Sequence, residues 1–203
     1  MGIERFFSSI EKNEITNLDS KFSKTQRDKI YTNHIFIDFN SIIHVTSYKV
    51  LNELNNDIYN CIKNEKKYKK ITKNEIEEKI IDRILKETLN VLENYITGNE
   101  LETLYIAIDG VPTKSKMIEQ RKRRFMGSIL VDIKKLIYNK HKTNLSKTRR
   151  EFEDNKIEWS KNQIGPGTLF MNILHKRLTN KDFKNRIEKI CPKLSKYICS
   201  GPN

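Results

Sequence analysis

An α/β fold with a mainly parallel sheet is predicted by three features of this sequence. Two short apolar runs, His34-Ile35-Phe36-Ile37-Asp38 and Leu104-Tyr105-Ile106-Ala107-Ile108-Asp109, each end in an aspartate. A stretch with apolar residues at helical spacing lies between them. Strand, helix, strand is the grammar of a parallel pair joined by a crossover. The 203 residues suffice for one ordinary domain, and a hydrophobic fraction of 36% suffices for a core.

The first run is nearly continuous in apolar residues, as a buried parallel strand should be. Residues 54–71 are rich in Asn and Lys and read as a charged insertion or surface loop. Thr72 and Glu75 have the spacing of a capping box. After them Ile76, Ile80, Ile84, Leu85, Leu89, Leu92 and Ile96 recur on one helical face, and Gly98 suits its end. The second apolar run gives the next strand. The segment Lys114–His141 predicts another helix, with Phe125, Ile129, Ile133, Leu136 and Ile137 on one side. Residues 142–161 are highly charged without a sustained pattern and read as a second insertion or loop. Gly165-Pro166-Gly167-Thr168 makes a turn, from which Thr168 can cap a helix through Leu178. Residues 194–199 are strand-like. No internal repeat or domain boundary is visible, so 1–203 reads as one domain.

The formal net charge of +13 favours a polyanionic partner. A general abundance of Lys and Asn accounts for part of that charge, so its placement matters more than its total. Cys61, Cys191 and Cys199 have no CxxC spacing, which argues against a zinc site or a disulfide framework. Glu4, Arg5 and Glu11 interrupt the apolar residues near Met1, against a secretory signal. No apolar run approaches the roughly 20 residues that span a bilayer. The expected setting is intracellular, the cytoplasm ahead of the nucleus.

Asp38 and Asp109 stand at equivalent ends of the two expected strands. In open α/β sheets ligands bind beyond the carboxyl ends of strands. Each aspartate alone also suits the start of a turn, Asp109-Gly110 above all. As a converging pair they would repel unless a cation lay between them, and oxygen ligation suits Mg²⁺ or Mn²⁺. Beyond Asp109 follows a basic cluster: Lys114, Lys116, Arg121, Lys122, Arg123 and Arg124, with Glu119 as the acid among them. On a helix, Lys116, Gln120, Arg123 and Arg124 share an arc of roughly 100°. Such an arc can surround a phosphate, with guanidinium forks giving bidentate contacts; its bland reading is a solvated basic face.

Several motifs now stand in order. They are Met1-Gly2-Ile3 with Phe6-Phe7, Ile37-Asp38-Phe39-Asn40 running into Ile42-Ile43-His44, and Ala107-Ile108-Asp109-Gly110-Val111. Lys116-Met117 with Gln120-Arg121 and Arg123-Arg124-Phe125 follow, then Gly165-Pro166-Gly167-Thr168 with Phe170-Met171. Together they resemble the N-terminal motifs of the Xrn-type 5′→3′ exoribonucleases. The resemblance implies a PIN/FEN-like nuclease core acting on single-stranded RNA with a 5′ monophosphate. By the same resemblance Asp38 and Asp109 would be catalytic metal ligands for Mg²⁺ (or Mn²⁺) in two-metal hydrolysis. Lys116, Gln120, Arg123 and Arg124 would form the 5′-phosphate pocket and reject capped or triphosphate ends. His44 would stack on the first base, where the residue itself reads equally as a buried polar group, and Asn40 would support the site. A flap-cleaving DNA nuclease is a competing reading, against which the 116–125 pattern argues.

The sequence departs from the family's pattern at Glu4 (usually Pro), Ser41 (Gly) and Gly165 (Thr). The family's Gly-Glu-Gly-Glu-His segment, with two further metal ligands, would fall just past Asn203. The nuclease domain is therefore expected to be truncated at its C-terminus. The implied alternatives are an RNA 5′-end-binding fragment without cutting activity, or a subunit completed by a second polypeptide.

Overall fold

The computed structural model describes residues 32–95, 100–110, 114–159 and 163–201. The motifs at Met1-Gly2-Ile3 and Phe6-Phe7, together with Ile96, Gly98 and Val111, lie outside the described residues.

The expected parallel sheet is present. Strand β1 (His34–Asp38) pairs in parallel with β2 (Thr103–Ala107), which pairs in parallel with β3 (Lys196–Cys199). The order β1-β2-β3 puts the second run at the centre. Leu104 and Ile106 of β2 are fully buried, whereas Phe36 of β1 is 72% exposed and meets Tyr105 across the pair at 5.7 Å between rings. The expectation of a strand buried on both sides is thereby corrected. Burial alternates along β1 and β2, so the described residues cover one face of the sheet.

Helix α1 (Phe39–Lys63) begins directly at the end of β1 and buries Phe39, Ile43, Val50, Leu54, Ile58 and Ile62. From Val50 onward these recur every fourth residue, one stripe along a helix. The reading of 54–71 as an insertion or loop therefore fails for its first half: residues through Lys63 are helical, and the Asn and Lys side chains form the wet face of that helix. Helix α2 (Lys73–Tyr95) starts with the expected capping box. The Thr72 amide donates to Glu75 Oε2 at 2.8 Å, and the Glu75 amide donates to Thr72 Oγ1 at 3.3 Å. Lys69 adds an ion pair at 2.7 Å. These hydrogen bonds, the Lys69 bond first, hold the Glu75 carboxyl down to about 2.

Ile80, Ile84 and Leu92 of α2 are fully buried among Leu101, Leu104, Ile106, Phe170, Leu174 and Ile187. Each such side chain contributes about 1.5–3 kcal/mol of burial. Helix α3 (Lys114–His141) follows β2. A short 3-10 turn then leads to α4 (Lys147–Asn155), capped by Ser146 and packed on α1. The reading of 142–161 as a structureless charged segment is thus corrected by one short helix, whose ion pairs include Arg149–Glu153 and Lys142–Asp154.

The turn at 165–168 is as expected. Gly167 takes a φ of 77°, the left-handed region that a Cβ disfavours, and Thr168 caps α5 (Leu169–Leu178) by accepting from the Met171 amide. Helix α6 (Lys181–Ile190), capped by Asn180, then buries Phe183 and Ile187 before β3.

Helix α3 differs from expectation in its surroundings. Phe125 is 65% exposed, Leu136 69% and Ile137 56%, so the apolar side of this helix faces no core among the described residues. None of the described helices is long and apolar enough to cross a membrane.

Candidate functional site

Asp38 closes β1 and caps α1. Its Oδ1 accepts the Asn40 amide at 3.2 Å, and its carbonyl accepts the Ser41 hydroxyl at 2.9 Å. The turn-forming reading of this residue is therefore real, yet it leaves the carboxylate exposed at the strand end. A charge there also gains from the partial positive charge of the helix N-terminus.

Asp109 lies two residues beyond Ala107, the register partner of Asp38. With strands about 4.8 Å apart and roughly 3.3 Å of rise per residue, the two Cα atoms sit on the order of 8 Å apart. The parallel sheet thus brings both aspartates to one edge, and Asp109 is also exposed.

What fixes the chain leading into Asp109 is Ser200, which sequence reasoning missed. The Ile108 amide donates to Ser200 Oγ at 2.8 Å, and the Ser200 amide donates to the Ile106 carbonyl at 2.9 Å. This side chain continues the ladder where β2 has ended. A Ser after a strand-like run carries no such signal until β3 is known to lie beside β2.

His44 is exposed on α1, which removes the buried-polar reading. Asn40 lies in the first turn of the same helix, partly exposed.

The backbone from Lys114 onward is helical, so Lys116, Gln120, Arg123 and Arg124 do stand at i, i+4, i+7 and i+8. The side chains of Lys116, Gln120 and Arg124 lie outside the described residues. The Arg123 guanidinium donates to Glu119 one turn back, with its side chain 68% exposed. Such an exposed helical pair is worth only about 0.3–0.5 kcal/mol. A phosphate offering two charged oxygens is a stronger partner and can displace it. Arg121 and Lys122 are exposed beside it.

The donor set can be weighed against a divalent cation. Two carboxylates at adjacent strand ends are the hard oxygen ligands that Mg²⁺ or Mn²⁺ prefers. Among the described residues, however, no three His, Cys, Asp or Glu side chains stand together as a metal-holding group. The type of donor fits and the number falls short of a two-metal site. Cys199 ends β3 near this edge, and burial pushes its thiol up to about 12. All three cysteines are free thiols.

Three comparisons with known proteins bear on this arrangement. The model of one protein family, described as XRN 5'-3' exonuclease N-terminus, matches residues 1–190. An uncharacterized protein of Acanthamoeba polyphaga mimivirus is 31% identical over 161 residues, 61% of this chain and 100% of its own length. The 5'-3' exoribonuclease 2 of Aspergillus oryzae is 41% identical over 76 residues, 35% of this chain and 7% of that protein. Its counterpart in Aspergillus fumigatus is 36% identical over 105 residues, 48% of this chain and 10% of that protein. The chain therefore spans the whole of the viral relative and a tenth or less of the fungal ones. No solved structure matches it significantly.

Proposed function

The chain belongs to the family of XRN 5'-3' exonuclease N-terminal domains, and from that premise we propose that it binds single-stranded RNA by a 5′-terminal monophosphate and presents the first scissile bond for hydrolysis. The observation that carries this reading is a pair of aspartates at and just beyond the C-terminal ends of two paired parallel strands, the second five residues before a strongly basic helix. α3 holds nine Lys and Arg side chains against two acids, and six of the nine fall in its first eleven residues.

In this proposal the α3 face of Lys116, Gln120, Arg123 and Arg124 holds the terminal phosphate by charge-assisted hydrogen bonds. Arg123 exchanges Glu119 for phosphate oxygens. His44 supports the first base by stacking from α1. A bound divalent cation would be held by Asp38 and Asp109 and would supply charge stabilisation at the scissile phosphate. Asn40 and Ser41 keep the Asp38 loop in shape, and Ser200 keeps the Asp109 strand end in place. Fixing the 5′ end in this way converts a search for the scissile bond into a fixed geometry. The setting we propose is intracellular, in keeping with three free thiols.

A second reading, end-binding without cutting, is favoured by one observation: only two carboxylates meet at the sheet edge among the described residues. Incubation with a 5′-monophosphorylated, 3′-labelled oligoribonucleotide at millimolar Mg²⁺ separates the two. Stepwise shortening from the 5′ end, abolished in Asp109→Ala, supports the nuclease. Retention of intact RNA with 5′-phosphate-dependent binding supports the end-binding protein. Neither result on any RNA would sink both.

A further inference from the structure

The apolar side of α3 that faces no core has a regular order. Phe125, Met126, Leu130, Ile133, Leu136 and Ile137 are each at least 44% exposed, so no described element of the chain covers them. At 100° per residue they fall, with the partly buried Ile129, within an arc of roughly 140°. That arc is centred roughly 140° round the helix from the positions of Lys116, Gln120, Arg123 and Arg124. The stripe therefore lies outside the proposed phosphate face and is independent of it.

A heptad seam runs along the stripe. Met126, Ile129, Ile133 and Leu136 are spaced three, four and three residues apart, as the a and d positions of a helix that packs on another helix. Lys122 stands four residues before this run and Lys140 four residues after it, so both continue the seam in register. Four apolar side chains are thus closed at each end by a lysine, over about 27 Å of helix. Lys122 and Lys140 are exposed and enter no ion pair among the described residues.

The two lysines decide what can lie on the seam. A second copy of the chain meets like charge in either direction: a parallel α3 sets Lys122 on Lys122, and an antiparallel one sets Lys122 on Lys140. A lipid surface buries the middle of an amphipathic arc deepest, and both lysines stand near that middle. Aliphatic side chains fill the seam, whereas bases need rings to stack on. We therefore infer that α3 is a docking surface for an acidic amphipathic helix of a protein partner. That helix lays four apolar residues along the seam and sets a carboxylate against each of Lys122 and Lys140. Apolar burial supplies the affinity, and the two end pairs set the register and reject basic helices. Arg121 and Lys134 flank the stripe and strengthen the preference, against Asp132 on its border and Glu119, which Arg123 engages.

The test is fluorescence anisotropy of the full chain with two labelled helical peptides of three heptads. Both carry Leu at the four inner a and d positions; one carries Glu at the two outer positions and the other Lys. The Glu peptide should bind about ten-fold more tightly, the scale of two exposed ion pairs exchanged for two repulsions. Lys122→Glu with Lys140→Glu should reverse that preference, a gain of binding that a misfolded chain cannot give. Leu136→Glu, at an exposed site, should weaken the Glu peptide by about ten-fold or more. Equal affinity for the two peptides, a preference that survives the lysine exchange, or no binding of either would overturn the inference. Dimerisation of the wild-type chain that Leu136→Glu abolishes would overturn it in favour of a second copy. Binding to phosphatidylserine vesicles in preference to the Glu peptide would overturn it in favour of a membrane.

Discussion

Replacing Asp38 by Asn and by Ala separates its structural duty from its chemical one. The carboxylate Oδ1 accepts the Asn40 amide at 3.2 Å and so caps α1. Asn keeps an oxygen at that position and loses only the charge facing the helix N-terminus, about 0.3–1 kcal/mol at an exposed site. Ala loses the cap as well, a further ~1 kcal/mol. With a urea m-value of about 2 kcal/mol/M for a chain of this size, the midpoint should fall by roughly 0.15–0.5 M in Asp38→Asn and roughly 0.65–1 M in Asp38→Ala. Both variants should lose the Mn²⁺-induced broadening of the Asp38 and Asp109 amide resonances, because both lose the charge. Equal midpoints for Asn and Ala would refute the cap. Undiminished broadening in either variant would refute the ligand.

Ser200→Ala leaves the part-buried Ile108 amide without its acceptor at 2.8 Å. It should cost about 1–2 kcal/mol and speed hydrogen exchange at Ile108, read by NMR. Ile84→Ala in the fully buried heart of α2 should cost about 3–4 kcal/mol in urea unfolding. Leu136→Ala, at a site 69% exposed, should stay within about 0.5 kcal/mol of the wild-type chain. A large loss there would mean that the apolar side of α3 is covered in solution. For Glu75 the carboxyl is held at about 2 against an ordinary 4.5. Its contribution is therefore present above pH 4.5 and fades as the pH falls towards 2. The stability difference between wild type and Glu75→Gln should vanish over that window in a pH series of urea midpoints.

Features fixed by local chemistry were legible in the sequence. The Thr72–Glu75 box, the cap at Thr168 and the end of its helix at Leu178 each follow from a few adjacent side chains, and the structure reproduces them. The parallel pairing of the two Asp-terminated runs was legible as well. α1 was not, because Asn and Lys crowd its wet face and hide a stripe running Val50, Leu54, Ile58, Ile62 at intervals of four. α6 was overlooked for a similar reason: Phe183 and Ile187 are its two buried residues among many charges. The apolar residues of α3 mark a helix but not what covers it, since amphipathicity fixes a face and not a partner. At the candidate site, the positions of Asp38 and Asp109 at the carboxyl ends of a parallel pair were legible from the two apolar runs alone. Ser200 was not, because its role depends on β3 lying beside β2, a contact across 92 residues of chain.

The central claim is that the basic face at the start of α3 recognises a 5′-terminal phosphate. Its most direct test is the affinity of the chain for one oligoribonucleotide carrying a 5′ monophosphate, compared with the same RNA carrying a 5′ hydroxyl. The phosphorylated RNA should bind at least about ten-fold more tightly, the scale of one charge-assisted contact. That margin should shrink in Arg124→Ala and widen in Glu119→Gln, which releases Arg123. Equal affinity for the two RNAs, or a margin untouched by Arg123→Ala and Arg124→Ala alike, would contradict it.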